Sequence, residues 1–212
     1  MTPLVTVLLA TYNDGAYLRE AIESILNQTF SDFEFLIIND GSTDDTEQIV
    51  KSYEDDRIKY VKQENKGVYF TRNKGFDLAK GKYIALMDGD DISHLSRLEK
   101  QVQIMEANPD IGIHGTVQKY FTNADGIRAM PTEDKRIKTI SLFSMPFNHP
   151  TCMIRKEALL KSGVKFQENW TVAGDYHFSS ELLKHLKAAG SSEILYFYRW
   201  HGQNMTMEKE KD

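Results

Sequence analysis

Apolar positions along this chain recur with two periods. Val5-Thr6-Val7-Leu8-Leu9-Ala10 is a short run rich in β-branched residues and reads as a buried strand. Over residues 15–28, Leu18, Ile22, Ile25 and Leu26 hold the spacing of one helix face. The alternation then repeats. A strand is predicted at Phe33–Ile38, and a helix at 43–53 with Ser42 or Thr43 as N-cap and Asp44 and Asp45 in its first turn. A strand at Ile58–Val61 precedes a helix at 68–80, with Gly81 as its stop. A strand at Tyr83–Met87 precedes a helix at about 93–107, with Leu95, Leu98, Val102 and Met105 inward and Asn108-Pro109 at its end. Strands alternating with helices imply right-handed βαβ units, hence a Rossmann-like α/β fold with a mostly parallel sheet flanked by helices.

The second half is less regular. Strands are predicted at 111–121, Thr151–Arg155 and Ile194–Arg199, and a helix at 174–188. Residues 122–147 are polar and interrupted by Gly126, Pro131 and Pro146, so mobile loops are expected there. Neither repeats nor a linker divide the chain, which reads as a single domain over 1–206 with a charged, frayed tail at 207–212.

Composition narrows the classes. The 212 residues carry 26 Lys+Arg against 31 Asp+Glu, net charge −5, which disfavours nucleic-acid binding through phosphate neutralisation. The lone cysteine, Cys152, lies among apolar neighbours and reads as packing, and a single thiol fits a reducing compartment. Residues 1–10 do not form a signal peptide, and there is no apolar run of the roughly 20 residues a membrane helix needs. A cytoplasmic protein is expected, with any membrane contact peripheral.

Three polar clusters follow predicted strands: Thr11-Tyr12-Asn13-Asp14, Asn39-Asp40-Gly41-Ser42 and Asp88-Gly89-Asp90-Asp91. In an open parallel sheet the carboxyl ends of the strands share the edge where ligands bind, so these segments should converge on one crevice. Three carboxylates within four residues repel each other unless they face water or hold a cation. Oxygen donors suit Mg²⁺ or Mn²⁺, and so small a set implies an ion completed by substrate phosphates and water, hence a metal-bridged diphosphate. The chain has no G-x-x-x-x-G-K-[ST] loop, no G-x-G-x-x-G after the first strand and no H-E-x-x-H, which argues against P-loop, dinucleotide and zinc-protease chemistry.

These clusters, in this order, resemble the hallmarks of glycosyltransferase family 2, enzymes of the GT-A fold. Asn65-Lys66-Gly67 with Arg72-Asn73-Lys74-Gly75, and Ala79-Lys80-Gly81-Lys82-Tyr83-Ile84, resemble the stretch between them. His149-Pro150, Gly174-Asp175 and Tyr198-Arg199-Trp200-His201 resemble later, looser motifs. Two positions depart from the pattern: Gly174 stands where the family commonly has the first residue of an acidic pair, and Asn39 where Asp is frequent. The resemblance implies inverting transfer of a sugar from a nucleotide donor, most often a UDP-sugar, with Mn²⁺ or Mg²⁺. Residues 1–110 would be the nucleotide-binding half and 111–206 the acceptor side, with loops such as 122–147 setting acceptor choice. Tyr12 would stack on the base, Asp40 would accept a hydrogen bond from it and Arg72 would lie nearby. Thr11, Asn13, Gly41, Ser42, Asn65 and Asp88 would complete the nucleotide site. Asp90 or Asp91 would touch ribose and metal, and Arg199 and His201 would approach the diphosphate or the ion. Asp175 would be the general base.

The chemistry agrees with those roles. A single displacement at the anomeric carbon needs one base for the acceptor hydroxyl and positive charge at the departing diphosphate. The resemblance further implies a glycan or lipid-linked acceptor, in surface polysaccharide or glycan assembly, with a cytoplasmic location extending to the inner face of the membrane. The competing readings are a sugar nucleotidyltransferase and a degenerate nucleotide-binding or partner subunit.

Overall fold

The apolar runs form the centre of one sheet in a computed structural model that describes residues 2–170, 172–201 and 204. The expected tail at 207–212 lies outside the described residues. Strands β1 (Val5–Thr11), β2 (Phe33–Asn39), β3 (Ile58–Lys62) and β4 (Tyr83–Asp88) are parallel in the order β3-β2-β1-β4. Thr11 pairs with Asn39, and Ala10 with Asp88, so the three polar clusters leave the sheet at one edge.

Beyond β4 the pairing changes. Antiparallel β8 (Met153–Arg155) joins β4 to β6 (Ile111–Thr122), and β9 (Lys187–Trp200) runs parallel to β6. The short β5 (Ile92–Ser93) closes the far edge, and β7 (Gly126–Arg128) folds back on β6. Side chains alternate across β1. Val5, Val7 and Leu9 pack with α1 (Leu18–Leu26), α2 (Thr46–Lys51) and α4 (Arg97–Ala107); Leu8 packs with α3 (Val68–Leu78), α6 (Lys156–Ser162) and α7 (Gly174–Leu183). No helix among the described residues is long and apolar enough to cross a membrane.

Several elements differ from the sequence expectation. Ser42 and Thr43 do not cap α2. The Asn13 N–H donates to Ser42 Oγ (3.0 Å) and the Thr43 N–H to Asn13 Oδ1 (2.8 Å), and Asp44 accepts from the Thr46 N–H instead (3.0 Å). Leu95 precedes α4 and is exposed. Residues 122–147 hold β7 and α5 (Asp134–Ile140), which is docked by the buried Ile137. The last strand begins at Lys187 because pairing with β6 extends it, and α7 ends at Leu183.

Gly81 does not terminate α3, which ends at Leu78. It allows a close approach, since a Cβ there would lie 2.4 Å from the Thr6 backbone nitrogen. The Gly81 N–H donates to Thr6 Oγ1 (2.8 Å), whose hydroxyl donates to Glu34 Oε1 (2.7 Å); the Lys80 N–H donates to the same carboxylate oxygen (2.7 Å). This buried relay fixes the turn that feeds β4. Thr6→Val keeps the shape but strands the Gly81 N–H and should cost about 1–3 kcal/mol in urea denaturation, with Thr6→Ser retaining most of the stability.

Candidate active site

At the carboxyl edge of β1, β2 and β4 lies a cleft of about 1130 Å³. Thr11, Tyr12, Asn13, Asp40, Asn65, Arg72, Asp88, Asp90, Asp175 and His201 all line it. Gly41, Ser42, Asp91 and Arg199, expected in the same site, do not line it.

Tyr12 is half exposed and offers a ring face to the cleft. Asn13 takes a left-handed backbone conformation (φ 58°), tolerable for Asn, which frees its amide to hold Ser42 and Thr43. The buried Asp40 carboxylate accepts from Gln63 Nε2 (2.7 Å) and from the Lys66 and Gly67 N–H groups (2.9 and 2.8 Å). It therefore pins the loop that presents Asn65, and its Oδ2 carries one bond where it can accept two. Gly41 is required beside it: φ is 77°, and a Cβ would sit 2.8 Å from the Asn65 nitrogen. Asn39 builds the same turn, accepting from the Ser42 N–H (2.8 Å) and donating to the Tyr60 hydroxyl (2.9 Å).

The acidic turn after β4 divides its carboxylates. Asp90 faces the cleft with Oδ2 2.9 Å from His201 Nε2. Asp91 is fully buried and turned away; its Oδ1 accepts from the Arg199 N–H (2.8 Å). Burial, followed by Asp90 and Asp88, holds the Asp91 carboxyl well above the usual carboxylate range. Arg199 braces the turn from behind. Its Nε donates to the Asp90 carbonyl (2.8 Å), its guanidinium lies between the rings of Tyr17 and Phe121 (4.7 and 4.6 Å), and Nη2 is 3.1 Å from Glu20.

The donor set for an ion is small. Among the described residues there is no group of three or more His, Cys, Asp or Glu that could hold a metal. Asp90 and His201 supply one oxygen and one nitrogen, and burial together with Asp88 raises the Asp90 carboxyl. An anion so crowded fits a divalent cation that takes its other ligands from phosphate and water.

Across the cleft, Asp175 opens α7. Arg72, buried in α3, donates from Nη1 to Asp175 Oδ1 (2.6 Å) and from Nη2 to Asp88 Oδ1 (3.0 Å). Burial alone would lower the Arg72 pKa, but the two carboxylates outweigh it and hold the guanidinium charged. His149 Nε2 stands 3.8 Å from Asp175 Oδ1, and burial pushes this imidazole down to about 4, so it is neutral at pH 7. Cys152 is buried and its thiol is pushed up to about 12, consistent with packing.

Two residues to which the sequence assigned no role also line the cleft. Asp14 accepts from Thr11 Oγ1 (2.8 Å) under the acidic turn, and a Cβ on Gly89 would lie 2.4 Å from its Oδ2. Its position beside Thr11-Tyr12-Asn13 was the available signal. Tyr69 carried no signal at all. Its hydroxyl accepts from the Gly174 N–H (3.1 Å), and its ring occupies the space of a Gly174 side chain, whose Cβ would be 2.3 Å from Cζ. The departure at Gly174 thus has a steric reason.

The sequence model of Glycosyl transferase family 2 matches residues 6–163. An uncharacterized glycosyltransferase of Methanocaldococcus jannaschii is 39% identical over 83% of this chain and 63% of its own length. Another, from Haemophilus influenzae, is 34% identical over 94% of this chain and 66% of its own. Among solved structures, S. aureus TarS in complex with UDP-GlcNAc superposes with a TM-score of 0.83 at 21% identity, covering 95% of this chain and 60% of that one. The mannosyltransferase PcManGT of Pyrobaculum calidifontis, in complex with GDP-Man and Mn²⁺, gives 0.73 at 18% identity, with 97% and 59% covered. The chain therefore spans less than two thirds of the length of these relatives. The fold is the expected GT-A type.

Two outcomes follow from this geometry. Burial, then Asp90 and Asp88, push the Asp14 carboxyl from 3.8 up to about 7. Its folded pKa exceeds the unfolded one, so its contribution to stability is complete below pH 3.8 and is lost as pH rises through about 7. Asp14→Asn should remove that loss, and its stability relative to wild type should grow across this window by up to about 1.4 kcal/mol per pH unit, read by urea denaturation without divalent ions. A difference independent of pH would show that Asp14 ionises freely in the fold. Gly174→Ala should cost about 1–3 kcal/mol by overpacking against Tyr69, and Tyr69→Ala in the same chain should relieve the clash.

Proposed function

The chain belongs to glycosyl transferase family 2, and from that premise we propose that its cleft transfers a sugar, with inversion, from a nucleoside diphosphate sugar to an acceptor hydroxyl. The Arg72 fork carries this reading. It joins Asp88, on the strand that ends in the acidic turn, to Asp175, in the first turn of α7 on the opposite wall. Of the carboxylates among the described lining residues, Asp14, Asp88 and Asp90 crowd together at the acidic turn and Asp40 holds its own loop, while Asp175 faces them from the other wall, oriented by Arg72, where a base for the acceptor is needed. One base and one charge-neutralising cluster are the needs of a single displacement.

In this reading residues 1–110 hold the nucleotide and residues 111–206 the acceptor. Tyr12 stacks on the base. Asp40, through its remaining acceptor site, and Asn65 bound the base pocket, while Thr11 and Asn13 shape its floor. Asp88 faces the ribose. Asp90 and His201 would hold Mn²⁺ or Mg²⁺, which when bound supplies Lewis-acid neutralisation of the leaving diphosphate. Asp175 takes the proton of the attacking hydroxyl, and Arg72 fixes the orientation of that carboxylate while keeping positive charge beside the donor. UDP is the favoured nucleotide because TarS is seen with UDP and UDP-GlcNAc, and Mn²⁺ because PcManGT is seen with it. Surface glycan assembly on the cytoplasmic side of a membrane is the setting this chemistry suits.

Thermal unfolding with UDP and Mn²⁺ tests the donor site. Saturation at 100 times the dissociation constant should add about 2.7 kcal/mol and raise Tm by several degrees. Asp90→Asn should abolish the ion-dependent shift. Asp175→Asn should keep the shift yet lower UDP release from UDP-GlcNAc by about 100-fold or more. Equal loss of binding in both variants would sink this division of roles. No shift with UDP, GDP, CDP, ADP or dTDP would favour a degenerate or partner subunit.

A further inference from the structure

The segment after α5 sends two large apolar side chains into water: Leu142 is 72% exposed and Phe143 is 84% exposed. Their position is fixed. Ile137 anchors α5, and Tyr176, in the first turn of α7, donates to the Ser141 carbonyl (2.8 Å). On the other side of that turn Trp170 packs on His177 at 4.5 Å between ring centres, and Trp170 and Val172 are themselves exposed. Four apolar side chains therefore flank the turn that carries Asp175. Val172 and Met145 also line the cleft, so this rim is continuous with the cleft mouth.

Charge distinguishes the rim from the rest of the surface. Residues 127–147 carry four basic and two acidic side chains in a chain of net charge −5. Lys135 and Arg136 on α5 are both exposed. Apolar prongs beside exposed cations suit the boundary between anionic headgroups and acyl chains. Clusters of exposed large apolar side chains are uncommon on surfaces that face only water.

We infer that this rim seats on an anionic lipid bilayer, with Leu142 and Phe143 entering the acyl boundary and Lys135 and Arg136 on the headgroups. The cleft then opens toward the membrane, and its acceptor is carried on a lipid. This last step rests on the glycosyl-transfer reading; the seating does not.

Vesicle co-sedimentation separates the two, because it needs neither donor nor transfer. The full chain should sediment with phosphatidylcholine vesicles containing phosphatidylglycerol and stay in solution with phosphatidylcholine alone. Leu142→Glu with Phe143→Glu should weaken the partition about tenfold or more. Lys135→Glu with Arg136→Glu should weaken it and flatten its dependence on salt. Neither pair lines the cleft, so the UDP and Mn²⁺ shift should be unchanged and reports that the fold is intact. Wild type remaining in solution with both vesicles, or sedimentation unaffected by the apolar pair, would overturn the inference. Self-association in solution that L142E/F143E abolishes would overturn it too, by assigning the rim to contact between copies.

Discussion

Arg72 is a buried cation held between two carboxylates, Asp88 and Asp175, that the chain delivers from opposite walls of the cleft. Isolating a guanidinium from water is costly unless its donors are matched, and the two ion pairs supply that match. The constraint is mutual. α3, β4 and α7 must hold their relative positions for the fork to close, so one side chain spans the cleft between the acidic turn and the first turn of α7. Phe166 below the guanidinium (5.7 Å) and neutral His149 beside Asp175 fill the remaining space without adding charge.

The same balance governs the acidic turn. Asp14, Asp88, Asp90 and Asp91 lie together, and burial raises the carboxyls of Asp14, Asp90 and Asp91. Arg72 pairs with Asp88 (3.0 Å), and the other buried arginines grip backbone instead of these carboxylates. Arg199 grips the turn through the Asp90 carbonyl. Fully buried Arg97 donates to the carbonyls of Leu86 and Pro150 (2.8 and 2.9 Å), tying the end of β4 to the turn before β8. The turn is thus tied down on several sides while its carboxylates stay crowded.

Packing explains one of the two departures from the family pattern. At Gly174 the Tyr69 ring takes the side-chain space and its hydroxyl anchors the start of α7, so an aromatic ring positions Asp175 where the family pattern has a second carboxylate. Asn39 accepts from the Ser42 N–H and donates to the Tyr60 hydroxyl, but a carboxylate could accept from both, and nothing in the structure explains Asn in place of Asp there.

Much of this was legible along the chain. The apolar runs identified β1 to β4, and the polar clusters after three of them marked the edge where the cleft lies, because strand register carries Thr11, Asn39 and Asp88 to the same side. What the sequence left open was the direction of individual side chains. It could not separate Asp90 from Asp91, which are adjacent in sequence yet face opposite ways, nor show that Arg199 supports the turn from behind. It hid α5 within a polar stretch and gave no hint of Tyr69 at Gly174. Periodicity reports burial within one element. The partners of Arg72, Asp91 and Gly174 lie up to about a hundred residues away, so only the packing of the elements decides them.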